Sequence, residues 1–141
     1  AQEKGNIFHL IMSEIYSVKD VNLVLNKYYE LGEISTDKKE KLKEIIYKIT
    51  ESEELKEFYN PKYKSFNERE IIEKNGKSFI PDRIVFLNDK DIVLIDYKTG
   101  IKKSKYVNQL KDYEFRLNKI GLNTMKKIII YVSDDINIKF F

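Results

Sequence analysis

Two short uninterrupted apolar runs, Ile92-Val93-Leu94-Ile95 and Ile128-Ile129-Ile130-Tyr131-Val132, constrain what this chain can fold into more than any other feature. A strand with one wet face alternates apolar and polar residues, so a run without polar interruption reads as a strand covered on both faces. The rest of the chain must supply that cover. Ile7, Phe8, Ile11, Ile15 and Val18 recur at three- and four-residue steps, so a helix is expected from Ile7 to Val18, with His9 and Ser13 off the centre of its apolar stripe. A second helical pattern runs from about Val21 to Leu31 and stops at Gly32. Ser35 or Thr36 caps a third, whose inner face is Leu42, Ile45, Ile46 and Ile49, and a short fourth precedes Pro61.

After Pro61 the texture changes to strands. Lys64 to Lys74 ends in Asn75-Gly76, a hairpin signal because both residues accept positive φ, and Lys77 to Leu87 returns. Asn88-Asp89-Lys90 then leads into the first apolar run, so three antiparallel strands in a meander are expected. Thr99-Gly100 breaks the run. From Ser104, Tyr106, Val107, Leu110, Tyr113, Leu117 and Ile120 recover helical spacing up to Gly121, and Asp134-Asp135 turns the second run into an edge strand over Ile136 to Phe141. Helices, three strands, a helix and one or two further strands make a mixed α/β, α+β-like layered domain over residues 1–141, with no linker or repeat dividing it. A chain of 141 residues buries roughly 68–70% of its unfolded surface, enough for a core without staples.

Composition removes several kinds of chemistry. With no cysteine there are no disulfides, thiolate zinc sites, iron-sulfur clusters or thiol nucleophiles, which is compatible with a reducing, cytoplasmic setting. No apolar run approaches the roughly 20 residues that span a bilayer, and no signal-peptide stretch opens the chain, so no membrane partner is expected. The start at Ala1 rather than Met suggests a fragment of a larger protein. The net charge of +3 conceals a division: residues 1–97 hold 16 basic and 19 acidic side chains, whereas 98–127 hold 9 and 2. A local surplus of +7 beside a balanced remainder is a candidate contact surface for a polyanion. Only Arg69, Arg83 and Arg116 are arginines, so the surplus is built of lysine point charges rather than guanidinium forks.

Chemistry concentrates where the expected hairpin closes. Pro81-Asp82 lies in one strand and Asp96-Tyr97-Lys98 at the end of the next. Alternation sends Asp96 and Lys98 to one face and Tyr97 to the other. Hard divalent cations prefer oxygen ligands, so two carboxylates from adjacent strands suit Mg2+ or Mn2+, and a lysine beside them can orient water or balance developing charge.

This arrangement resembles the PD-(D/E)xK nuclease superfamily: Pro81-Asp82, thirteen intervening residues, then Asp96-Tyr97-Lys98. Thr99 extends the string to the Asp-Tyr-Lys-Thr of RecB-type nuclease domains, Gln109-x-x-x-Tyr113 matches the Gln-x-x-x-Tyr motif of that branch, and Gly5-Asn6-Ile7-Phe8-His9 looks like its Gly-x-x-x-His helix start. The resemblance implies a restriction-endonuclease-like core. It also implies a metal shell of His9, Asp82, Asp96 and the Tyr97 backbone carbonyl, with Asp82, Asp96, Lys98, Gln109 and Tyr113 as catalytic residues. Glu70 matches an acidic position often seen in the family, with Glu68 equally near. Lys102, Lys103 and Lys105, together with Gln109 and Tyr113, would meet nucleic acid, and Tyr106 is a candidate for stacking on a base.

The missing cysteines separate this chain from RecB-like nucleases with a four-cysteine iron-sulfur staple. What remains resembles the C-terminal nuclease domain of AddA or RecB-type helicase-nucleases, also found on UvrD-like helicases. No Gly-x-x-x-x-Gly-Lys-Ser/Thr loop is present, so unwinding would come from a helicase domain of the parent chain or a partner subunit. The implied activity is metal-dependent, exonuclease-like hydrolysis of single-stranded DNA in repair or recombination. The alternative is an inactive nuclease-fold module for DNA binding or docking.

Overall fold

Period-two alternation divides each apolar run between two cores. In a computed structural model that describes residues 6–141, the first run lies in strand β5 (Asp91–Thr99) and the second in β6 (Asn123–Val132). Val93, Ile95, Ile128 and Ile130 face one core, while Ile92, Leu94 and Ile129 face the other. These strands pair in parallel at the centre of a five-stranded mixed sheet. Its order is β1 (Lys64–Asn67), β4 (Arg83–Phe86), β5, β6 and β7 (Ile136–Phe140), with every other pairing antiparallel.

Three helices cover one face: α1 (Ile7–Ser13), α2 (Val21–Glu30) and α3 (Thr36–Glu51). They bury Ile11, Leu25, Ile46 and Ile49 against the sheet, and Ile15 in the turn after α1 joins the same core. Helix α4 (Ser104–Lys119) makes the β5-to-β6 crossover and covers the other face with Tyr106, Leu110, Tyr113 and Leu117. The result is the expected mixed α/β architecture.

Three boundaries depart from expectation. Helix α1 stops at Ser13 rather than Val18, because the Asp20 carboxylate accepts the Tyr16 and Ser17 amides at 2.9 and 3.1 Å and turns the chain into a short 3-10 turn. The first two strands of the meander each break in the middle. Glu68 adopts a φ of 51°, which swings the chain out of β1. The segment around Asn75-Gly76 then forms a separate two-stranded sheet of β2 (Ile71–Ile72) and β3 (Ser78–Phe79). Strand β6 begins at Asn123 rather than Ile128: its polar first half has no apolar signature, and pairing with β5 alone makes it a strand. As expected, Ser35 caps α3, accepting from the Lys38 amide at 3.1 Å. Among the described residues no helix is long and apolar enough to cross a membrane.

Candidate metal centre

The β4–β5 hairpin closes through Asn88, whose Oδ1 accepts the Lys90 and Asp91 amides at 2.9 and 2.8 Å. That turn sets the register Arg83 opposite Ile95, so one step further Asp82 stands opposite Asp96. Asp82 Oδ2 accepts the Tyr97 amide at 2.8 Å, fixing the carboxylate against β5. Helix α1 brings His9 to the same place, with Nε2 at 2.8 Å from the Tyr97 carbonyl oxygen and 3.6 Å from Asp82 Oδ2. The Gly5 part of the expected helix-start motif lies outside the described residues. Asn6 caps the helix, its Oδ1 accepting the His9 amide at 2.9 Å.

Asp96 and Lys98 share the α4 side of β5, as alternation requires. Lys98 Nζ lies 2.9 Å from Asp96 Oδ2, donates to Gln109 Oε1 at 3.2 Å, and stands 4.7 Å from the centre of the Tyr106 ring. His9, Asp82 and Asp96 are at most 2% exposed and Lys98 is 5% exposed. Burying four ionisable side chains together opposes folding unless they pair closely, and such a cluster is a candidate functional site. Tyr97 points the other way, its hydroxyl 2.6 Å from that of Tyr59, and burial pushes the Tyr97 phenol well above its usual pKa.

Tyr113 shares the face of Gln109. Its ring stacks on Phe79 at 5.2 Å, and burial, followed by the Asp96 carboxylate, pushes its hydroxyl up to about 12. It is a packing residue lying in the field of Asp96. Glu70 is not in the cluster: it lies exposed between β1 and β2 and accepts the Ser78 hydroxyl at 2.9 Å across the small hairpin. Glu68 is nearer: its backbone amide donates to the Asp82 carbonyl at 3.0 Å, and its carboxylate, like that of Asp96, helps raise the Tyr113 hydroxyl. Base stacking by Tyr106 is not supported either, because its ring is 8% exposed and packs between α4 and the sheet. Lys102, Lys103 and Lys105 are exposed beside it, with Lys103 and Lys105 at 6.0 and 5.6 Å from the Tyr106 ring and Lys102 at 5.6 Å from Tyr131.

No family model and no curated protein sequence matches the chain. A solved structure described as the crystal structure of SSO0001 aligns at 17% identity and a TM-score of 0.38, covering 92% of this chain and 65% of its own. This chain therefore spans less than two thirds of that protein. The chemistry rests on the side chains themselves.

Among the described residues no three His, Asp or Glu side chains form a ready metal-holding group. The expected shell is thus assembled in part: His9, Asp82 and the Tyr97 carbonyl meet, while the Asp96 carboxylate turns to Lys98. The donors present suit a hard divalent cation. Both imidazole nitrogens face oxygens, Nδ1 toward Asn6 Oδ1 at 3.1 Å and Nε2 toward Tyr97 O and Asp82 Oδ2. A neutral imidazole has one N–H, so a cation on the Nε2 side suits this arrangement of oxygens.

Sequence reasoning missed Arg83, 1% exposed beside Asp82. Its guanidinium donates to the carbonyls of Ile15, Tyr16 and Phe58 and to Asn67 Oδ1, at 2.8 to 3.2 Å, and lies 4.2 Å from the Tyr59 ring. It thereby locks the turn after α1 to the start of β4; Pro81 and Asp82, expected within that strand, lie just before it. An arginine leading into the apolar Ile84-Val85-Phe86 was the available signal.

Proposed function

We propose that this domain is a divalent-metal-dependent deoxyribonuclease of the PD-(D/E)xK type. It hydrolyses phosphodiester bonds of single-stranded DNA in an exonuclease-like manner and acts with a helicase, in the parent chain or a partner subunit, in cytoplasmic DNA repair or recombination. The observation that carries this reading is the meeting of buried His9 and Asp82 at the Tyr97 carbonyl, beside the buried Asp96–Lys98 pair, at one end of β5.

His9, Asp82, Asp96 and the Tyr97 carbonyl would hold Mg2+ or Mn2+. Bound there, the ion supplies Lewis acidity toward a phosphoryl oxygen and lowers the pKa of a water. Lys98 is positioned by Asp96 and Gln109 to donate a hydrogen bond to the attacking water or to a non-bridging phosphate oxygen, where negative charge grows in the transition state. Gln109 accepts from the ammonium and so limits where it can point. The exposed Lys102, Lys103 and Lys105 neutralise neighbouring phosphates, which favours sequence-independent, salt-sensitive binding.

Cleavage of end-labelled single-stranded DNA in Mg2+ or Mn2+ tests the reading, with wild type beside Asp82→Asn and Lys98→Met. Wild type is expected to cleave and each variant to lose roughly 100-fold or more, the scale of removing one transition-state donor. Equal rates in all three would sink the proposal. DNA binding with no cleavage in either metal would favour a docking module instead.

A further inference from the structure

We infer that Asn6 is a positioning residue for the metal centre: it selects which nitrogen of His9 carries the proton, and it ties the start of α1 to the end of β5. This rests on the reading of His9 as a metal ligand.

Asn6 lies in extended backbone immediately before α1. Its Oδ1 accepts the His9 amide at 2.9 Å, so that atom is an acceptor. The same oxygen is 3.1 Å from His9 Nδ1, and the amide nitrogen donates to Thr99 Oγ1 at 3.3 Å. An acceptor facing Nδ1 favours the tautomer with the proton on that nitrogen, which leaves Nε2 with a lone pair. In that tautomer the lone pair would face Tyr97 O, 2.8 Å away, and Asp82 Oδ2, 3.6 Å away. Without a cation the same 2.8 Å contact suits an Nε2–H donating to Tyr97 O, and a cation bound among these atoms reverses that preference. Asn6 and the ion therefore favour the same tautomer, and each strengthens the hold of the other on His9. The link to Thr99 acts on the other partner, since Thr99 ends the strand that presents Asp96, Tyr97 and Lys98. Groups that orient a ligating histidine in this way typically change metal affinity by about 10- to 100-fold.

His9 is the only histidine in the chain, so one imidazole gives the whole nitrogen–proton spectrum. Wild type, Asn6→Ser and Asn6→Asp are compared by titration with Mn2+ and by two-bond 15N–1H correlation spectra in Mg2+. Serine caps a helix about as well as asparagine but is too short to reach the imidazole as well. Its variant is expected to melt within a few degrees of wild type, to bind Mn2+ at least about tenfold more weakly, and to show mixed tautomers. Asn6→Asp keeps the acceptor and is expected to hold the Nδ1 proton and bind Mn2+ no more weakly than wild type. Wild-type affinity and tautomer in Asn6→Ser would overturn the inference, as would mixed tautomers in Asn6→Asp. A wild-type His9 spectrum that responds to neither metal would remove the metal reading itself, and the inference with it.

Discussion

Lys98 owes its orientation to three neighbours, the Asp96 carboxylate, the Gln109 amide and the Tyr106 ring. Sequence spacing anticipated two of them, because strand alternation and the four-residue helical repeat are local rules. Choosing between Glu68 and Glu70 depends instead on the positive φ of Glu68, which no local pattern encodes. Glu70 sits at the surface with Ser78, so Glu70→Ala is expected to leave the single-strand cleavage rate within about twofold of wild type and stability within ~0.5 kcal/mol. Initial rates and urea midpoints check this, and a tenfold loss of rate would return Glu70 to the site. Asn6 escaped notice for a related reason: its role depends on partners as distant in sequence as Thr99.

At the scale of elements, the site depends on how the turn after α1 docks against β4. The two are far apart in sequence, and Arg83 joins them by reaching the carbonyls of Ile15 and Tyr16 in that turn and of Phe58. Replacing it with Met leaves buried acceptors without their donor, so Arg83→Met is expected to cost at least about 3 kcal/mol, since each unsatisfied buried group costs ~1–3 kcal/mol. Lysine at 83 should recover only part of this, because one ammonium cannot reproduce the planar fork. Urea denaturation of both variants measures the difference, and stability unchanged in Arg83→Met would show that water replaces the guanidinium. Helices and the two central strands were legible because their apolar periodicity is strong. The separate hairpin of β2 and β3 was not: its apolar face is small, and it packs on α4 through Phe79 on Tyr113 and Glu73 on Arg116 at 2.9 Å.

Taken whole, the molecule places tyrosines where ionisation is resisted. A hydrogen bond to Glu14 pushes Tyr28 up to about 12, burial does the same for Tyr113, and burial also raises Tyr59 and Tyr97. In the unfolded chain these phenols titrate near 10. Between about pH 10 and 12 the native state therefore keeps protons that the unfolded state has lost, and stability falls as pH rises. Below pH 10 this contribution is complete. Urea midpoints flat to pH 9.5 and declining above it are expected, with part of the tyrosinate absorbance appearing only on unfolding. A midpoint constant to pH 11.5 would contradict the buried placement.

Among the described residues the sheet is open, so β1 and β7 each end it with unpaired backbone groups, the kind of border that invites neighbouring chains to add strands. Both borders are short and each carries a lysine, Lys64 in β1 and Lys139 in β7. Lys139 is exposed between Ile138 and Phe140. Charge there penalises stacking of copies, so Lys139→Ile should leave the melting temperature near wild type while sharply lowering the concentration at which light scattering reports fibrillar aggregates. The residues that end this sheet thus act as a solubility device, guarding a border that the apolar interior itself leaves open.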